Sequence, residues 1–94
     1  MSEVIGENEM DVWMKRVPEW EVESESIIRV VEYDDFMDAI DFVNGVAEIA
    51  EEAQHYPEIN VQGSLVTLRL TSEDQGGVTS LDFELAGRID HLLD

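Results

Sequence analysis

Hydrophobic positions change their period along the chain, and each change marks an element. From Glu9 to Arg16, Met10, Trp13 and Met14 fall on one side of a short helix. Pro18 ends it, because the residue before a proline avoids helical backbone. Residues 20–22 and 27–33 read as two strands, with the polar run Glu23-Ser24-Glu25-Ser26 as the turn between them. Asp34-Asp35 then opens a longer helix and supplies side chains that can cap its first free N–H groups. Phe36, Ile40, Val43, Ala47, Ala50 and Gln54 follow at alternating four- and three-residue steps, which predicts an apolar stripe facing a core. Asp38, Asp41, Glu48 and Glu51 fall mainly outside it, as a solvated face.

Beyond His55-Tyr56-Pro57 the period drops to two. Residues 59–62 and 65–70 read as strands joined at Gly63, a position that can take positive φ. Val66, Leu68 and Leu70 point to one face, and Leu65, Thr67 and Arg69 to the other. After Gly76-Gly77, Thr79-x-x-Asp82 has the spacing of a capping box, with Asp82 in the place usually taken by Glu or Gln. Leu85, Ala86, Ile89, Leu92 and Leu93 give the last helix its apolar side. The expected architecture is an α+β fold ordered helix, two strands, helix, two strands, helix. Its helices pack on one face of a four-stranded antiparallel sheet. Residues 1–8 read as a flexible leader and residues 9–94 as a single domain.

Composition changes this picture in one respect. Asp and Glu total 23 against five Lys and Arg, for a formal net charge of −18 over 94 residues. Self-repulsion at that density opposes compaction unless counter-ions screen it, so the composition points to a halophilic protein of a high-salt cytoplasm. With no basic patch, direct contact with nucleic acid or an anionic membrane is not expected. The chain has no cysteine, which excludes disulfides, thiolate metal sites and cysteine nucleophiles. Its N-terminus lacks the basic and apolar regions of a signal peptide, so a cytoplasmic location is expected.

Few residues carry chemistry. His91 sits near the end of the last helix and reads as exposed and inert. His55 stands at a helix end beside Pro57. It is open to two readings: an imidazole favoured there by the helix dipole, or a functional acid/base. Asp82 has a structural explanation as a capping residue, and Glu73 and Asp74 lie in a polar loop. Two histidines so far apart do not form a metal site. No phosphate-binding loop is recognisable, since no lysine follows Gly76-Gly77.

Pro18-x-Trp20, Asp34-Asp35-Phe36, Phe42-Val43-Asn44-Gly45-Val46-Ala47, Glu51-x-x-x-His55-Tyr56-Pro57 and Gly77-Val78-Thr79-x-x-Asp82-Phe83-x-Leu85-Ala86 occur in this order across residues 9–92. In order and spacing the chain resembles the pterin-4a-carbinolamine dehydratases. The resemblance implies dehydration of 4a-hydroxytetrahydrobiopterin to quinonoid dihydropterin without a cofactor or metal. It implies His55 as principal acid/base, with Asp82 and Glu73 as its catalytic partners. Tyr56, Pro57 and Trp20 are implied as substrate-binding residues. Tyr56 and Glu73 occupy positions where the family usually has its second and third histidines. The resemblance also implies a homodimer or homotetramer. Because some members of the family bind other proteins, a non-catalytic protein-binding or assembly role, with a protein partner, is the alternative.

Overall fold

Two tight hairpins and one long helical return build the sheet. The computed structural model describes residues 3–93. In chain order the elements are α1 (Glu7–Met14), β1 (Glu21–Glu23), β2 (Ser26–Glu32), α2 (Phe36–Ala53), β3 (Glu58–Gln62), β4 (Leu65–Leu70), a 3-10 turn (Glu73–Gln75) and α3 (Ser80–Leu92). The strands form one antiparallel sheet in the order β1-β2-β4-β3. This is the expected α+β architecture and element order. The turn at Gly63 takes φ 59°, the positive value for which glycine has no Cβ penalty.

Register sorts the side chains. Ile27 lies opposite Leu70, Arg29 opposite Leu68 and Val31 opposite Val66, so these residues share the helix-facing side. Ile27, Val66, Leu68 and Leu70 are fully buried there against Phe42 and Val46 of α2 and Phe83, Leu85 and Ile89 of α3. Met10, Trp13 and Met14 of α1 pack at the edge of this core, with the Trp13 ring 5.4 Å from that of Phe83.

The apolar stripe of α2 is rotated from its expected position. Ala39, Phe42, Val46 and Ala50 are buried, whereas Phe36 is exposed and Gln54 lies beyond the helix. Apolar residues cover more than half of the helix circumference, so two phases of a 3.6-residue period fit the sequence. The phase adopted is the one that buries the large Phe42, whose ring lies 5.7 Å from Tyr33. Asp35 is the cap, accepting the Asp38 N–H at 2.9 Å.

The N-terminal segment, expected as a leader, makes specific contacts. Val4 bridges to Thr79, and the Ile5 N–H donates to the Val78 carbonyl at 2.8 Å. Gly77 permits this approach, since a Cβ there would lie 3.0 Å from a Val4 methyl. Met1 and Ser2 lie outside the described residues.

Trp20 is buried, and its indole N–H donates to Asp90 Oδ1 at 2.9 Å. The Arg29 guanidinium reaches the same oxygen at 2.8 Å, so one carboxylate of α3 fastens β2 and the segment before β1. Replacing Asp90 with Ala leaves a buried indole N–H and a half-buried cation without their acceptor. Urea unfolding at fixed salt is expected to show a loss of about 1–3 kcal/mol.

Candidate active site

The path of the chain after α2 is set by a left-handed residue. Gln54 has φ 52° and ψ 41°, its N–H reaches the Glu51 carbonyl, and the His55 N–H returns to Ala50 at 3.2 Å. This is a Schellman-type helix end with glutamine where glycine is usual. It turns the chain sharply, so that His55 is set against the first turn of α3 while Tyr56 and Pro57 lead into β3.

At α3 the capping box forms as expected from Thr79-x-x-Asp82. The Thr79 hydroxyl accepts the Leu81 N–H, and Asp82 Oδ2 accepts the Thr79 N–H at 2.8 Å. Asp82 is completely buried. Its Oδ2 also accepts the Ser72 hydroxyl at 3.0 Å, while its Oδ1 lies 2.5 Å from His55 Nε2. Ser72 and Thr79 hydroxyl oxygens are 2.9 Å apart. Each hydroxyl has one proton, and Ser72 gives its own to Asp82; Thr79 therefore donates to Ser72. The polar chain has a single direction, Thr79 to Ser72 to Asp82, and every hydrogen bond ends on the carboxylate.

That ordering fixes the imidazole. An ionised carboxylate only accepts, so the proton of the His55–Asp82 contact sits on Nε2, and Nδ1 is the nitrogen left to exchange protons. The imidazole is mostly buried, with 18% of its side-chain surface exposed. Its ring lines a cavity of about 640 Å³, together with Tyr56, Pro57, Glu58, Arg69 and Glu73. That volume suits a small organic ligand.

The structure therefore brings His55, Asp82, Glu73, Tyr56 and Pro57 to one place, and it does not bring Trp20 there. Glu73 stands exposed on the 3-10 turn at the cavity wall. The turn is pinned where Ser72 and Gly77 pair, and it closes through Gly76 at φ 86°. Tyr56 is exposed at the cavity, and its hydroxyl donates to Glu51 at 3.1 Å. That hydrogen bond, and then the charge of Glu51, hold the phenol above its ordinary range, so it serves as a donor and not as a base. Among the described residues no group of histidine, cysteine, aspartate and glutamate has an arrangement suited to holding a metal ion, and no helix is long and apolar enough to cross a membrane.

Sequence reasoning missed Ser72, Glu58 and Arg69 as cavity residues. Ser72 had a signal: the alternation Val66, Leu68, Leu70 continues to position 72 and points it inward. Glu58 and Arg69 become visible only once β3 and β4 are paired, because they are direct cross-strand partners.

Comparison with known proteins finds relatives along nearly the whole chain. The family model described as pterin 4 alpha carbinolamine dehydratase matches residues 3–92. A protein of Picosynechococcus sp. is 39% identical over 92 residues, covering 98% of this chain and all of the relative. One of Acidobacterium capsulatum is 45% identical over 80 residues, covering 85% and 87%. Both carry the name "Putative pterin-4-alpha-carbinolamine dehydratase". A crystal structure from Brucella melitensis, described as a transcriptional coactivator/pterin dehydratase, superposes with a TM-score of 0.92 at 26% identity over 98% of this chain and all of that one. The chain belongs to the pterin-4α-carbinolamine dehydratase family.

Nitrogen-15 NMR of the neutral imidazole is expected to show His55 wholly as the Nε2–H tautomer. Asp82→Asn is expected to move the proton to Nδ1, because the Thr79 N–H and the Ser72 hydroxyl hold the amide oxygen and leave its NH2 facing Nε2. A wild-type spectrum with the proton on Nδ1 would contradict the site as described.

Proposed function

We propose that this protein dehydrates a 4a-hydroxytetrahydropterin, with 4a-hydroxytetrahydrobiopterin as the type substrate. The observation that carries the proposal is one imidazole, anchored through Nε2 to a fully buried carboxylate and lining a cavity of about 640 Å³. Dehydration breaks the C4a–O bond, and the N5 lone pair forms the new C4a=N5 bond. The leaving oxygen needs a proton to depart as water, and N5 must give one up. His55 in its imidazolium form donates from Nδ1 to the hydroxyl, while Asp82 holds the other N–H and stabilises the cation.

Loss of the hydroxyl leaves N5–H on a cationic iminium, a far stronger acid than the starting amine. A carboxylate suffices to take that proton, which is how Glu73 serves at the position where the resemblance implies a histidine. Glu73 then passes the proton to solvent, His55 regains one, and the cycle is balanced. Carboxylates at the cavity wall, Glu58, Glu73 and Asp74, favour the cationic intermediate through space. Assembly as a homodimer or homotetramer, and adaptation of the acidic surface to high salt, belong to the same reading.

The second reading is a protein-binding role, and the replacement of two family histidines by Tyr56 and Glu73 favours it. The Brucella relative, whose description names coactivator and dehydratase together, lends it support.

Stopped-flow measurement of 4a-hydroxytetrahydrobiopterin against its spontaneous dehydration separates the two. Acceleration is expected, falling about 10²–10⁴-fold in His55→Ala and less in Glu73→Gln. No acceleration at any salt concentration would leave the binding role as the surviving reading.

A further inference from the structure

The cavity also holds a cross-strand pair of opposite charge. Glu58 and Arg69 face each other directly across β3 and β4, on the side of the sheet away from the helices. They meet through a single contact of 3.3 Å between Glu58 Oε2 and an Arg69 terminal nitrogen. Among the described residues no other hydrogen bond engages either side chain. Both line the His55 cavity, and both keep substantial exposure, 68% for Glu58 and 37% for Arg69. The second carboxylate oxygen and most of the guanidinium N–H groups are therefore available to a ligand. A pair held this loosely contributes little to stability, since exposed ion pairs are screened by solvent. Glu58 follows His55 by three residues, which limits the separation of their Cα atoms to about 10 Å.

We propose that Glu58 and Arg69 form a clamp for the pyrimidine edge of a 2-amino-4-oxopteridine. The inference rests on the pterin reading above and assigns the residues that recognise the ring. That edge offers two donors in sequence, the 2-amino group and N3–H, followed by one acceptor, O4. A carboxylate accepts from both donors in a bidentate fashion, and a guanidinium beside it donates to O4. The clamp selects for the 2-amino group. A 2,4-dioxo ring places a carbonyl oxygen against the Glu58 carboxylate, where two acceptors meet without a proton. Arg69 does not discriminate between the two rings, because both carry O4.

The test is titration of wild type, Glu58→Gln and Arg69→Gln with 7,8-dihydrobiopterin and with its 2,4-dioxo counterpart, at constant salt, by calorimetry. Circular dichroism verifies that each variant is folded. Wild type is expected to prefer the 2-amino ligand by about tenfold or more, the worth of a charged hydrogen bond exchanged for a repulsion. Glu58→Gln is expected to erase the preference, since an amide offers an N–H to the 2-oxo group. Arg69→Gln is expected to weaken both ligands by similar factors. A preference that survives in Glu58→Gln overturns the clamp and leaves the pterin reading intact. An Arg69→Gln variant that binds both ligands as tightly as wild type also overturns it. Failure of wild type to bind either ligand overturns the clamp together with the reading on which it rests.

Discussion

A single buried carboxylate connects the fold to its site. Asp82 has no exposed surface, and a charge in that position is tolerated only when its oxygens are fully engaged. Its partners come from three separated places: the backbone of Thr79 in its own helix cap, the Ser72 hydroxyl after β4, and the His55 ring after α2. Removing the carboxylate would therefore unfasten the start of α3, loosen the segment that carries Glu73 and release the imidazole. The same hydrogen bonds that satisfy the helix terminus also select the tautomer of His55. The structural reading of Asp82 as a cap and the functional reading as an orienting acid are two consequences of one arrangement.

Much of this arrangement was legible in the sequence because it depends on local rules. The Thr79-x-x-Asp82 spacing gives the capping box, the change of period at Pro57 gives the strands, and Gly63 marks their turn. The phase of α2 was not legible. Its apolar residues satisfy two helical stripes equally well, and only packing against β4 and α3 decides between them. Trp20 shows the same limit from the other side. Its place in a family-like motif suggested a ligand contact, yet the ring lies in the core and its N–H is taken by Asp90, which is 70 residues away. Glu58 and Arg69 carry no sequence signal at all, since their pairing exists only through the register of β3 on β4.

The acidic composition acquires a local meaning at the cavity. Surface carboxylates spread over the whole chain mainly set solubility and salt response. Those lining the His55 cavity act at short range on whatever binds there, and Arg69 lies among them. The site combines an imidazole anchored on Asp82, a paired cation and carboxylate, and further carboxylates. Such a surface suits a ligand with several N–H donors better than one with an anionic tail.

The claim on which the account depends is that His55 and Asp82 act as one unit. A double-mutant cycle tests it directly, using urea unfolding of wild type, His55→Ala, Asp82→Asn and the double variant at one salt concentration. The account predicts a coupling of about 1–3 kcal/mol between the two positions, as residues sharing a buried hydrogen bond to a carboxylate should show. Additive losses, with a coupling below about 0.3–0.5 kcal/mol, would contradict it.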